Sequence, residues 1–368
     1  MEPTNKEKKE FVTVHHLIVL DESGSMWDVK SQTISGCNET LGTIRLMQND
    51  NLESQRHFVS VYAFDSDLAH SRYIIENEPI EEVENVTDRD YQPNGTTPLF
   101  DAVGFTLTNL RRQVGQKGAI GYVTIITDGY ENSSREYHLQ SVKAIIDDLK
   151  KQNVIFSFIG ANIDAAAYGK GLGIGNTLQF SANEEGVREM WQEERQSKLR
   201  SSRKMSFCIK GSVSSEAPMT SFVQEENSGS YYQKFHIDAV PDAITSLRPN
   251  EVFVFGSNKQ GLHNGGAAAY ALAHFGAVMG QAEGLQGQAY AIPTFDVTLE
   301  ETEQAVNRFI AYARQHPQQT FLVTKIGCGH AGLSVSDIAP LFIPAANCSN
   351  IRLPQAFIDY INGDCFTD

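Results

Sequence analysis

The feature that most constrains the fold is an alternation of short apolar runs with helix-length segments along the first half of the chain. Phe11–Leu20, His57–Phe64, Ile120–Thr127, Val154–Ile159 and Thr177–Phe180 read as strands, and Ser71–Ile75 as a short edge strand. Several of these runs are continuously apolar, which marks strands covered on both faces. Val29–Met47, Leu99–Gln113, Arg135–Gln152, Ala165–Leu172 and the acidic Glu184–Leu199 have helical length. Strands and helices in alternation call for a mostly parallel sheet between two helical layers, an α/β fold.

The pattern returns after a break. Glu251–Phe255, Ala289–Ile292, Thr320–Ile326 and Asn350–Leu353 read as strands, with helices at Ala267–His274, Leu299–Gln315 and Ser336–Leu341. A chain of 368 residues exceeds one typical core, so two three-layer α/β/α domains are expected. The stretch Ser201–Ser230 is rich in serine and glycine and reads as a linker, with a short strand at Ser206–Ile209. The expected boundaries are 10–202 for the first domain, 203–240 for a linker or β-arm, and 241–368 for the second domain.

Charge narrows the function classes. There are 30 basic and 45 acidic residues, a net charge of −15. A general binder of nucleic acid or anionic membrane needs a basic face, so neither is expected as a partner. The balance suits a protein that gathers divalent cations. Cys37, Cys208, Cys328, Cys348 and Cys365 are scattered and form no CxxC pair. That speaks against a zinc knuckle or a disulfide framework and fits a reducing cytosol. Lys6, Lys8 and Lys9 precede an apolar run broken by His15 and His16, too short and polar for a signal-peptide core. No apolar stretch reaches membrane length, and the expected location is cytoplasmic.

The first candidate site opens where the first strand ends, at Asp21-Glu22-Ser23-Gly24-Ser25-Met26. One carboxylate and two hydroxyls on a tight loop are hard oxygen donors of the kind Mg²⁺ prefers. Asp128 follows another strand, and Thr97 stands at a helix entrance in Gly95-Thr96-Thr97-Pro98-Leu99. In open α/β sheets, ligands sit at the carboxyl ends of the strands, so these distant residues can converge on one rim. Taken singly, Asp21, Ser23 or Thr97 would serve as a helix cap. Thr96 is the rival of Thr97, which directly precedes Pro98 at the helix start. Glu22 and Asp65 read as ordinary rim carboxylates.

The ordered set Asp21, Ser23, Ser25, Thr97 and Asp128 resembles the metal-ion-dependent adhesion site of the von Willebrand factor A domain, a Rossmann-like fold with a mostly parallel sheet. The resemblance covers roughly the first half of the chain. It implies that the hydroxyls of Ser23, Ser25 and Thr97 hold Mg²⁺ or Mn²⁺ directly. It also implies that the aspartates act through water, and that one position stays open for a carboxylate from a protein partner.

In the second half, three strand ends carry polar or glycine-rich loops. They are Gly256–Gly266, the Pro293-Thr294 end that follows Gly280–Gln288, and Gly327–Leu333. No Gly-Lys-Ser/Thr is present, and the glycine spacing fits neither a Walker loop nor the dinucleotide fingerprint. Small residues at the start of Ala267–His274 let backbone amides approach a phosphate. The stretches Phe255–Asn258, Glu283–Thr294 and Ile326–Gly332 resemble a macro-like family of bacteria and their phages, related to the ADP-ribose-binding macrodomain. This resemblance covers roughly Leu247–Pro354. It implies a nucleotide ligand of ADP-ribose type, held by Gly256, Ser257, Asn258, Gly261, Gly265 and Gly266 on one loop. Gly327, Cys328, Gly329 and Gly332 would form a second phosphate loop.

One hydrolase class of that family uses a lysine in the first helix and an aspartate after Gly-Cys-Gly. Here the helix has no lysine, and His330-Ala331 stand in the aspartate's place. Asn258, His263, Glu283 and His330 remain as candidates to activate water or position substrate. Each also has a plain reading: Asn258 as a turn residue, the others as solvated side chains. Cys328 follows a buried strand, where a free cysteine usually packs as a small apolar group. The leading expectation is a binding protein with a metal-dependent protein site and a nucleotide site. An ADP-ribosyl hydrolase and a phage-related accessory protein with a non-catalytic cleft are the alternatives.

Overall fold

A computed structural model describes residues 11–364 apart from 53, 117, 212–216 and 242. Lys6, Lys8, Lys9 and Cys365 lie outside the described residues. The chain divides into two compact units, Met1–Gln233 and Lys234–Asp368.

Unit 1 holds strands β1 (Val12–Asp21), β2 (Gln55–Phe64), β3 (Arg72–Pro79), β4 (Ala119–Thr127), β5 (Val154–Ala161) and β6 (Asn176–Phe180). They form one sheet in the order β3-β2-β1-β4-β5-β6, parallel except for the antiparallel edge strand β3. Its helices are α1 (Lys30–Asp50), α2 (Leu99–Val114), α3 (Leu139–Lys150), α4 (Ala165–Leu172), α5 (Glu184–Gly211) and α6 (Ala217–Glu225). Every residue of β4 is buried, as its unbroken apolar run requires. On one face, Ile18 and Leu20 pack with Leu41 and Ile44 of α1 and Trp191 of α5. On the other, Leu17 and Val19 pack with Val103 and Leu107 of α2 and Ile146 of α3. The alternation along β1 thus divides its side chains between two helical layers.

Unit 1 departs from expectation in two places that matter for its packing. Helix α3 begins at Leu139 rather than Arg135. The buried carboxylate of Asp101 accepts the backbone N–H groups of Arg135, Glu136 and Tyr137 at 2.7, 2.8 and 2.7 Å, holding them outside the helix.

The second difference concerns the expected linker over 203–240. Helix α5 runs through Ser206–Ile209, which is not a strand, and α6 and a π-turn at Glu226–Ser230 follow. Met205, Phe222, Val223 and Tyr231 close an apolar cluster with Val14, Ile120, Tyr122 and Ile155 of the sheet. Two of the serines that suggest a loop, Ser201 and Ser202, are instead small residues on the buried face of α5. Ser197, Ser201 and Ser202 are all buried, and Tyr122 and Ser201 share a hydrogen bond of 2.9 Å.

Unit 2 contains β7 (Glu251–Asn258), α7 (Gly266–His274), β8 (Gly284–Gln286), β9 (Ala289–Phe295), α8 (Leu299–Gln315) and β10 (Thr320–Val323). After these come α9 (Val335–Ile338), β11 (Ile351–Arg352) and α10 (Gln355–Asn362). The sheet order is β11-β10-β7-β9-β8, with only β8 antiparallel to its neighbour. Val254 and Ile292 face α8 and α10 through Phe309 and Phe357, while Phe253 and Phe255 face α7 through Ala268 and Ala271. Helix α8 starts where expected, because Thr298 and Glu301 form a reciprocal capping box. Strand β10 stops at Val323, three residues earlier than its apolar pattern suggests, because Ile326 N–H turns back to the Thr324 carbonyl at 2.7 Å. Among the described residues, no helix is long and apolar enough to cross a membrane.

Candidate metal centre and ligand cleft

In unit 1 the chain passes from β1 to β2 on one side and later to β4 on the other. The crevice between β1 and β4 is thus the topological switch point, where open α/β sheets bind ligands. Leu20 pairs with Ile126 in this parallel ladder, so Asp21 and Thr127 end their strands side by side. The Thr127 hydroxyl donates to Asp21 Oδ2 at 2.6 Å, and Ser23 N–H donates to Asp21 Oδ1 at 2.7 Å. The Ser25 hydroxyl donates to Asp128 Oδ1 at 2.7 Å and lies 3.2 Å from Ser23 Oγ.

Thr97 is carried in by its loop. Asn132 pins it on both backbone groups, its Oδ1 accepting Thr97 N–H at 2.9 Å and its N–H donating to the Thr97 carbonyl at 3.2 Å. Thr97 is buried, and its hydroxyl oxygen would stand only 3.4 Å from a Cβ placed on Gly129, next to Asp128. Thr96 is exposed, and its hydroxyl donates to Ser133 Oγ at 2.9 Å. Asp21, Ser23, Ser25, Thr97 and Asp128 therefore stand on three adjoining loops.

Burial of these carboxylates has an electrostatic price. Desolvation raises Asp21 from 3.8 to about 6 despite hydrogen bonds from Thr127 and Ser23. Burial also raises Asp128. Both oxygens of Asp21 accept hydrogen bonds, whereas Asp128 Oδ2 is buried without a partner among the described residues. A bare buried carboxylate oxygen beside three hydroxyls fits a hard divalent cation. Ser23, Ser25, Thr97 and the two aspartates are the residues that would hold it. Among the described residues, no three His, Cys, Asp or Glu side chains cluster as a metal group, so hydroxyls would make up the ligand number.

Several residues that shape this rim carry no signal in a linear reading. Glu22 is not a solvated rim carboxylate. It is buried, binds Arg72 through both oxygens at 2.6 and 3.0 Å, and accepts Gln92 N–H. This anchors the loop that leads to Thr97. Glu131 accepts the N–H groups of Phe100, Ser133 and Ser134 at 2.9, 2.8 and 2.6 Å and so fixes the loop after Asp128.

In unit 2 the corresponding switch point lies between β7 and β10, since β9 joins β7 on the opposite side. A cavity of about 390 Å³ opens there. Gly256, Ser257, Asn258, Gly265, Gly266, Gly327, Gly329 and His330 line it, as a strand-end cleft predicts. The Asn258 side chain is committed to its own loop, accepting Leu262 N–H at 2.8 Å and donating to the Leu262 carbonyl at 3.1 Å.

Five other candidates lie outside the cavity lining. Glu283 is held by Arg308 in a bidentate pair at 2.6 and 2.8 Å. His263 is buried edge-on against Phe255 at 5.1 Å, with no hydrogen-bond partner on either ring nitrogen among the described residues. Gly261 adopts φ +70° in a turn packed on Gly280-Gln281. Cys328 packs against the apolar core, and burial raises its thiol. Gly332 closes a turn through its N–H to the Gly329 carbonyl at 2.9 Å. Thr294 and Lys325 do line the cavity. Lys325 was hidden inside an apparent strand and reaches the rim because β10 ends early.

The doubly wound sheet of unit 1, with its polar switch-point rim, defines a Rossmann-like α/β domain. Residues 17–197 match the von Willebrand factor type A domain, and this segment is a domain of that type. No curated protein matches the chain. Similar solved structures include the manganese-loaded TRAP protein of Plasmodium vivax, at 18% identity over 48% of this chain and 72% of that one, TM-score 0.33. Proximal thread matrix protein 1 from the mussel byssus shows 9% identity over 96% of this chain and 95% of that one, TM-score 0.37. The SpRpn10 VWA domain shows 11% identity over 48% of this chain and 93% of that one, TM-score 0.33.

Proposed function

We propose that unit 1 captures a protein partner through a divalent cation, Mg²⁺ or Mn²⁺, held by Asp21, Ser23, Ser25, Thr97 and Asp128. The observation that carries this reading is Asp128 Oδ2, a buried carboxylate oxygen without a hydrogen bond among the described residues, where three loops meet. Domains of this type commonly mediate protein–protein interaction. The direct ligands would be the neutral hydroxyls of Ser23, Ser25 and Thr97, with the two aspartates acting through water. Such an ion retains Lewis acidity for one external carboxylate.

Unit 2 takes a nucleotide of ADP-ribose type in the cleft between β7 and β10. Two glycine-rich loops and the start of α7 supply backbone donors there. No carboxylate lines the cleft among the described residues, which favours binding over hydrolysis.

Mg²⁺ titrated into the full chain by calorimetry tests the first part. Asp128→Asn preserves shape and the Ser25 contact, and is expected to weaken metal binding by at least tenfold while leaving metal-free stability equal or higher. Undiminished Mg²⁺ binding by this variant would refute the site. ADP-ribose titrated into the same protein tests the second part, where absence of heat together with absence of a thermal shift counts against it.

A further inference from the structure

We propose that Trp27 and Tyr130 make the metal rim of unit 1 selective for a protein loop that carries one carboxylate between apolar side chains, and not for an acidic tract. This names the partner chemistry of the cation site above and rests on that reading for the cation. Trp27 and Tyr130 are 58% and 56% exposed, the highest values for large apolar or aromatic side chains among the described residues. Each stands two residues beyond an expected metal residue, Trp27 after Ser25 and Tyr130 after Asp128. One exposed apolar side chain is ordinary, but two large rings on one polar rim mark a contact surface.

Both rings are held in place. The Lys30 ammonium lies 5.5 Å from the centre of the Trp27 ring and is itself fixed by Asp88 at 3.0 Å. Lys30 opens α1, whose apolar side chains join Met26 and Val29 in the core on one face of the sheet. Tyr130 meets Tyr168 of α4 at 6.1 Å between ring centres, and Tyr168 stacks on Phe158 of β5 at 5.4 Å. Phe158 belongs to the core on the opposite face, with α2 and α3. The two rings thus flank the crevice between β1 and β4 from its two sides. Rings tied to the helical layers lose little freedom on contact, which favours burial of a partner's apolar groups against them.

Charge decides between kinds of partner. The loops that meet at this rim, residues 21–28, 65–71, 91–98 and 128–134, contain no lysine or arginine. They carry Asp28, Asp65, Asp67 and Glu131 besides the carboxylates of Asp21, Glu22 and Asp128. His70 is taken by Asp67 at 2.8 Å. Of the basic residues that follow these loops, Lys30 and Arg72 are paired with Asp88 and Glu22, and Arg135 stands past the end of the last one. A bound cation accepts one carboxylate, whereas further acids on the partner meet this negative surround and are repelled. Apolar neighbours of that one carboxylate meet Trp27 and Tyr130 instead.

The test is calorimetry on the full chain in Mg²⁺ with three disulfide-cyclised peptides, acetylated and amidated at their ends. Their centres read Leu-Asp-Leu, Ser-Asp-Ser and Asp-Asp-Asp between Cys-Gly and Gly-Cys. The Leu-Asp-Leu peptide is expected to bind at least about tenfold tighter than Ser-Asp-Ser, and Asp-Asp-Asp no tighter than Ser-Asp-Ser. Trp191, the other tryptophan of the chain, is buried, so a blue shift of emission on binding reports on Trp27. Trp27→Ser and Tyr130→Ser are each expected to lower Leu-Asp-Leu affinity at least about threefold. Both are expected to leave Ser-Asp-Ser affinity, Mg²⁺ affinity and the unfolding midpoint unchanged. The two readings fail separately. Mg²⁺-dependent binding with no preference for Leu-Asp-Leu, with Asp-Asp-Asp tightest, or with a preference indifferent to both substitutions sinks only this inference. Equal binding in chelator, or absence of binding by all three peptides while Mg²⁺ still binds, sinks metal-dependent capture and this inference with it.

Discussion

Asp21 and His57 pull the acid stability of unit 1 in opposite directions. Burial raises Asp21 from 3.8 to about 6, so the folded state holds this proton more tightly than the unfolded chain. Without metal, stability is therefore lost as pH rises from 3.8 through 6. A bound cation keeps the carboxylate ionised and removes that loss. His57 is lowered from 6.5 to about 3 by burial, and its neighbour His16 is lowered as well. His16 Nε2 and His57 Nδ1 share a hydrogen bond of 3.0 Å, and His57 Nε2 faces Gln55 Oε1 at 3.0 Å. Below pH 6.5 the unfolded chain takes up protons that this buried pair refuses. Stability then falls with pH, by up to ~1.4 kcal/mol per pH unit for each group. Urea midpoints in Mg²⁺ and in chelator are expected to diverge as pH rises from about 4 to 7. Parallel curves would remove Asp21 from the metal site.

Helix α5 is the element whose packing departs most from its composition. Glu194 and Lys198 pair at 2.8 Å with almost no exposure, against Thr124 of the central strand β4. The hydroxyls of Tyr231 and Tyr232 also donate to Glu194, at 3.2 and 2.9 Å. Lys198→Met leaves that carboxylate buried and short of its cation, and is expected to cost ~3–5 kcal/mol. Adding Glu194→Gln is expected to recover part of the loss, which a double-mutant cycle in urea measures. The contact between α1 and α5 is equally specific. A Cβ on Gly36 would stand 2.1 Å from the Trp191 ring. Gly36→Ala is expected to destabilise by ~1–3 kcal/mol, although alanine is the better helix former by ~1 kcal/mol. A rise in the unfolding midpoint would mean that α5 does not lie on α1 as described.

At the scale of the molecule, each unit has its own sheet, its own apolar core on both faces and its own switch-point rim. Scanning calorimetry of the full chain is expected to resolve two transitions. Mg²⁺ should raise one of them and ADP-ribose the other, each by mass action on the unit it binds. A single transition raised by both would show that the units unfold together. The expected boundary in a long serine- and glycine-rich linker moves because the helices α5 and α6 belong to the core of unit 1.

The order of strands and helices, and the polar groups at the ends of β1 and β4, are legible along the chain because both are local. Apolar runs declare strands, and Asp21, Ser23, Ser25 and Asp128 sit where those runs stop. The adjoining proline singles out Thr97 over Thr96 in sequence; the structure buries Thr97 beside Gly129 and leaves Thr96 exposed. What the linear pattern misplaced depends on distant partners. Asp101 delays α3, Glu22 and Arg72 secure the Thr97 loop, and Ser201 and Ser202, which read as linker, join the buried face of α5. In unit 2, glycine loops pointed to the cleft, but a short turn at Thr324–Ile326 brings Lys325 to its rim, and Glu283 is drawn away by Arg308. Sequence by itself determined which segments are strands and, where the apolar run stops cleanly as at Asp21 and Asp128, which polar groups follow them. Only the tertiary structure decided which of those groups share a cavity, because burial and hydrogen-bond pairing are set by residues far away in the chain.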